Sequence, residues 1–109
     1  VADDALYLSV LTLGELRSGV ESMPRGARRE RLRNWLEHDV PGWFDNRLLH
    51  VDAAIADRWG RLTAGASRTL PAIDSLLAAT ALQHDLRVVT RNASDFDLPG
   101  LEVVDPWAQ

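Results

Sequence analysis

The apolar positions of this chain change their period several times, and each change marks an element. Ala5-Leu6-Tyr7-Leu8-Ser9-Val10 is a short apolar run without helical spacing, as expected of a buried strand. From Leu11 to about Glu21 the period lengthens. Leu13, Leu16 and Val20 then share one helical face, with Ser9 and Thr12 both available as caps. Met23-Pro24-Arg25-Gly26 predicts a turn. A second helix is expected from Ala27 to about His38, with Leu32, Trp35 and Leu36 on its apolar face. Pro41-Gly42-Trp43-Phe44 breaks that pattern and reads as a short apolar turn. Residues 47–51 have strand character, and Asp52 is a natural cap for the helix that follows. That helix carries Ile55, Ala56, Trp59 and Leu62 and is expected to end near Arg68. A further helix over 73–84, a strand over 86–90, a polar stretch over 91–96 and a strand over 101–104 complete the pattern.

Strands alternating with helices predict an α/β sandwich around a mostly parallel sheet, formed by a single domain over 1–109. Ligands in such folds bind where strands end and helices begin. A helix over 73–84 spans about 18 Å. The strand over 86–90 returns roughly 16 Å. Asp74, at the head of an otherwise apolar helix, should therefore lie beside the loop that carries Asn92 and Asp95. Glu15 sits on the first turns of its own helix, again just beyond a strand. Three acids map to one edge.

Carboxylates brought together repel one another unless a cation joins them. Few hard oxygen ligands, with water completing the shell, suit Mg²⁺ or Mn²⁺. Such a cation lowers the pKa of water and neutralises charge building on a phosphodiester, which points to metal-dependent phosphodiester hydrolysis. A structural role is open for each acid: Glu15 as a surface helix residue, Asp74 as an N-cap, Asp95 as an Asx-turn former.

Composition narrows the classes further. Length, 46% hydrophobic and 26% charged residues describe an ordinary globular domain. The absence of cysteine excludes disulfides and thiolate metal sites. No apolar run approaches the ~20 residues that cross a bilayer, and no signal-peptide pattern opens the chain, so no membrane role and a cytoplasmic setting are expected. A formal charge of -4 argues against a general electrostatic nucleic-acid binder. All twelve basic residues are arginine, and Arg25, Arg28, Arg29, Arg31 and Arg33 cluster at one helix start, as a solvated face or a phosphate-binding one. His38, His50 and His84 share no ligand spacing and read as surface or helix-end residues.

Three segments resemble the PIN-domain ribonucleases, above all the VapC toxins of bacterial toxin–antitoxin systems. They are Leu6-Tyr7-Leu8-Ser9-Val10-Leu11-Thr12-Leu13-Gly14-Glu15-Leu16-Arg17-Ser18-Gly19, Ile73-Asp74-Ser75-Leu76-Leu77-Ala78-Ala79-Thr80-Ala81 and Val89-Thr90-Arg91-Asn92-Ala93-Ser94-Asp95-Phe96. Asp105-Pro106-Trp107 is similar to the usual ending of that family. The resemblance implies a PIN-like α/β/α sandwich and a Mg²⁺- or Mn²⁺-dependent endoribonuclease acting on tRNA, rRNA or mRNA. It also implies a VapB-type antitoxin partner and a homodimer. Glu15 and Asp74 match the family's second and third acids, and Asp95 is assigned the fourth position. Asn92 is then a contact to metal-bound water or RNA. Thr90, Arg91 and Arg17 are the implied RNA contacts.

The family's central first strand, which ends in an Asp-Thr/Ser-Asn motif, has no counterpart in the sequence as written. Asp3 and Asp4 precede the next strand and are expected at its opposite edge. Nuclease activity is thus an expectation for the complete protein. The alternative is a truncated, catalytically inactive PIN scaffold acting as an interaction module. An in-frame Asp-Thr/Ser-Asn strand upstream of Val1 would decide for the nuclease.

Overall fold

Residues 5–106 are described by a computed structural model; Asp3, Asp4 and Trp107 lie outside them. The chain divides into two compact units, Val1–His50 and Val51–Gln109.

In the first unit, strand β1 (Leu8–Ser9) runs directly into helix α1 (Val10–Glu21). Ser9 makes the hand-over. Its backbone is still extended, and its buried Oγ accepts a hydrogen bond from the Leu11 amide at 3.1 Å. Of the two candidate caps, Ser9 is the one used. Helix α2 (Ala27–Asn34) continues through a π turn (Trp35–Asp39) into the one-turn helix α3 (Val40–Trp43).

The turn expected at Pro41–Phe44 is therefore helical, and the π turn explains how. Proline lacks an amide hydrogen, and inside a regular α-helix its ring meets the carbonyl four residues back. Here the Val40 amide reaches back five residues to the Trp35 carbonyl. That widening lets Pro41 start a new turn instead of ending the helix. Strand β2 (Leu48–Leu49) then pairs parallel with β1, Leu8 opposite Leu48 and Ser9 opposite Leu49. Val20, Leu36 and Val40 form the core of this unit, with Leu8, Leu13, Leu16, Leu32 and Trp35 packed around them. The predicted apolar faces of both helices meet there.

One carboxylate ties α1 to α2. Glu21 receives Arg33 at 2.6 Å, Arg17 at 3.2 Å and Arg29 at 3.3 Å. The Arg33 hydrogen bonds are the largest influence and hold the Glu21 carboxyl at about 2 against an ordinary 4.5. The same contact raises the Arg33 guanidinium above its usual value. A carboxyl depressed on folding stabilises the fold fully above its unfolded value and loses that contribution as pH falls through its folded value. Relative to a Glu21→Gln variant, the protein's advantage should be complete above 4.5 and gone near 2. Urea unfolding of both proteins across that window tests this, and a pH-independent difference would refute it.

In the second unit, Asp52 caps helix α4 (Ala53–Ala64), its Oδ1 accepting from the Ile55 amide at 2.9 Å. The helix stops at Gly65, three residues before Arg68. Helix α5 (Ala72–Gln83) buries Ser75 and the run Ala78, Ala79, Thr80, Ala81. That consecutive run spans most of the helix circumference, and its small side chains let neighbours such as α4 pack closely. The end of α5 is a Schellman motif. The Leu86 amide bonds the Ala81 carbonyl at 2.8 Å and the Asp85 amide bonds the Leu82 carbonyl at 3.4 Å. Asp85 takes the left-handed conformation there, at φ 53°, where glycine is usual and aspartate tolerated.

Strand β3 (Val88–Val89) follows, then a 3₁₀ turn (Ala93–Phe96) and strand β4 (Val103–Val104). β3 and β4 pair parallel, Val88 opposite Val103 and Val89 opposite Val104. Both ladders are parallel, as strands separated by helical or looped crossovers require. No helix among the described residues is long and apolar enough to cross a membrane.

Candidate active site

Asp74 belongs to the first turn of α5, at the third helical position. Pro71 stands at the N-cap and no side chain caps the helix. Asp74 is half-buried, and its carboxylate receives no hydrogen bond or ion pair from a described residue. The capping role open to it in the sequence is not the one it plays.

The polar stretch after β3 is ordered by three local contacts. Thr90 continues the ladder, its amide donating to the Val104 carbonyl at 3.0 Å. Its Oγ1 accepts from the Asn92 amide at 3.1 Å. The Asp95 amide then donates to the Asn92 carbonyl at 3.0 Å, closing the 3₁₀ turn. Phe96 is buried and anchors that turn, which leaves the neighbouring Asp95 exposed. Asn92 and Arg91 are exposed as well, and Thr90 is half-buried. Helix α5 packs against this turn, so the elements bearing Asp74 and Asp95 are in contact.

In the first unit, Glu15 is exposed on α1 and its carboxylate is unpaired among the described residues. Other acids of the chain are engaged: Glu21, Glu30, Glu37, Asp57 and Glu102 each meet an arginine. Arg17 faces Glu21 at 3.2 Å and Glu37 at 3.0 Å. The arginine cluster of α2 divides in the same way. Arg29 and Arg33 clamp Glu21, while Arg25, Arg28 and Arg31 are exposed.

Among the described residues, no three acidic or histidine side chains gather as a ready-made metal cage. Mg²⁺ seldom uses one. It keeps several waters and binds through one or two carboxylates together with substrate phosphates. Within the second unit, Asp74 and Asp95 offer hard oxygen donors that no described arginine engages, and that donor chemistry fits such an ion. His38, His50 and His84 are all exposed, as expected.

Two features escaped the sequence reading. Trp59, one of the helically spaced apolar positions of α4, donates its indole N–H to Ser75 Oγ at 2.8 Å. Its only sequence signal was helical spacing. The other is an apolar cleft of about 580 Å³ in the first unit, lined by Leu8, Leu16, Trp35, Trp43, Phe44 and Arg47. Trp43 is 55% exposed at its rim and meets Trp35 edge-on, with ring centroids 6.4 Å apart. Arg47 donates to the Leu6 carbonyl at 2.7 Å and lies 5.3 Å from the centre of the Phe44 ring.

The model of the PIN domain matches residues 1–99. The chain belongs to the PIN-domain family. Its likeness within that family is to the VapC-type toxins. The VapC ribonuclease Y4jK of Sinorhizobium fredii is 36% identical over 107 residues, 95% of this chain and 76% of that one. The crystal structure of FitAcB from Neisseria gonorrhoeae superposes with a TM-score of 0.93 at 31% identity, covering all of this PIN domain and 81% of that chain. A member of the VapBC family of toxin–antitoxin systems from Mycobacterium tuberculosis matches at a TM-score of 0.67 and 27% identity, covering 90% of this chain and 78% of that one. The expected α/β PIN-like fold is the fold observed.

Proposed function

We propose that the complete protein is an endoribonuclease toxin that requires Mg²⁺ or Mn²⁺ and is silenced by a VapB-type antitoxin. The observation that carries this reading is the pair Asp74 and Asp95. Each stands on one of two packed elements of a PIN domain, with no cation from the described chain to neutralise it. Likeness to a VapC ribonuclease and to a VapBC complex supports the substrate class and the partner class.

In this reading Asp74 and Asp95 hold the ion; Glu15, the further acid that the family resemblance implies, belongs to the other unit. When bound, the ion supplies positive charge beside the scissile phosphodiester and lowers the pKa of water there. Asn92, exposed at the head of the 3₁₀ turn, orients water or RNA through its amide. Thr90 and Arg91 contact the RNA strand, the arginine through phosphate oxygens; Arg17, whose terminal nitrogens meet Glu21 and Glu37, reaches phosphate only by giving up those carboxylates. The decisive experiment is RNA cleavage by the complete protein carrying Asp74→Asn, with loss of Mg²⁺-dependent activity expected.

The apolar cleft is the proposed seat of the antitoxin. A half-exposed tryptophan over an apolar depression is the composition of an interface hot spot. Trp43→Ala should weaken cognate antitoxin binding by about 30-fold or more, the scale of a hot-spot residue. RNA cleavage by the free toxin should be unchanged. Wild-type antitoxin affinity in that variant would remove the cleft from the interface.

A further inference from the structure

We propose that Trp59 and Ser75 are positioning residues for Asp74, holding the first turn of α5 in the rotation that presents its carboxylate. The inference deepens the metal-site reading and rests on it.

A helix of this kind begins with amides that have no partner within the helix, and a side-chain cap normally fixes their orientation. The N-terminus of α5 has Pro71 in the cap position and no such bond. Ser75 fixes the turn by a different route, through the turn's carbonyls and not through the free amides. Its amide donates to the Pro71 carbonyl at 2.9 Å, and its Oγ donates to the Ala72 carbonyl at 3.0 Å. The same Oγ accepts the Trp59 indole N–H at 2.8 Å. Ser75 is 2% exposed, so its hydroxyl has no water to fall back on.

The donor comes from a different helix. Trp59 belongs to α4, whose start is fixed by the Asp52 cap. A rigid neighbour therefore sets the rotation of the α5 first turn. Asp74 precedes Ser75, and successive side chains on a helix diverge by about 100°. Turning Ser75 inward consequently turns Asp74 outward, with a fixed direction. Trp59 and Ser75 touch neither ion nor RNA in this scheme. They act only through the backbone of that turn.

Trp59→Phe keeps an aromatic ring and removes the N–H, while Ser75→Ala removes the hydroxyl. In the complete protein, Mn²⁺ affinity measured by electron paramagnetic resonance should fall about 10-fold in either variant, the usual scale for groups supporting a metal ligand. The double variant should be no weaker than the singles, because both delete one relay. RNA cleavage should lose kcat with KM retained, in addition to the lowered unfolding temperature that loss of a buried hydrogen bond brings. A merely structural hydrogen bond predicts the lowered unfolding temperature alone, with wild-type Mn²⁺ affinity and kcat in the folded protein. That result, alongside an Asp74→Asn control that has lost Mn²⁺, would overturn the positioning role alone. Undiminished Mn²⁺ binding by the Asp74→Asn control would overturn the metal-site reading beneath it.

Discussion

Asp74→Asn should lower Mg²⁺-dependent RNA cleavage by the complete protein at least about a thousandfold, while the fold survives. The magnitude follows from the role. A carboxylate that holds a catalytic cation contributes several kcal/mol of charge stabilisation, and about 4 kcal/mol corresponds to three powers of ten in rate. The amide is close to isosteric, so packing in the half-buried first turn is kept. What changes is a single charge.

A competing structural role for Asp74 predicts a different outcome. An acid in the first turn of a helix interacts favourably with the helix dipole, by about 0.3–1 kcal/mol. Losing that alone would lower stability slightly and leave cleavage intact. The two roles therefore separate in one variant, with cleavage and urea unfolding measured side by side. Asp95→Asn should behave like Asp74→Asn. Asn92→Ala should cost far less, because a neutral amide orients rather than holds charge. Equal losses at Asn92 and Asp95 would move the fourth ligand position toward Asn92.

The elements that proved legible were those whose local chemistry was also their final chemistry. Asp52 before an amphipathic run is a cap wherever that run docks, and the Leu13–Leu16–Val20 face needs only something apolar to bury it. The 3₁₀ turn shows the opposite case. Alternation of Phe96 inward and Asp95 outward cannot be read from a polar stretch without knowing what α5 offers Phe96. Pro41 misled for a related reason. Proline interrupts an α-helix, but a π turn one residue earlier changes the hydrogen-bond spacing and lets the helix resume. No residue type announces a π turn. The acids at 15, 74 and 95 were identified by their place beyond strands and by family motifs. Their freedom from arginine partners became visible only once the salt bridges around Glu21 and Glu37 were known.

The largest stability effect is expected at Ile55. It is fully buried, whereas Trp59 and Leu62 of the same helix are only partly so and its alanines are exposed. Ile55→Ala removes apolar surface and leaves a cavity that the neighbouring elements can only partly fill, costing about 2–5 kcal/mol. Collapse is particularly hard here for two reasons. The Ile55 amide is pinned by Asp52 at 2.9 Å, so the start of α4 cannot slide inward without losing its cap. The facing helix α5 buries alanines, whose side chains have no rotamers with which to reach into a void. A loss near 3 kcal/mol should lower the unfolding temperature by about 10–20 °C in a domain of this size. Ile55→Val, which deletes one methylene, should cost only about 0.5–1.5 kcal/mol. Thermal and urea unfolding of the complete protein with both substitutions would establish the series. Comparable, small losses for Val and Ala would mean that the α4–α5 contact closes around the gap, and that the cap and the alanine face do not hold the helices apart.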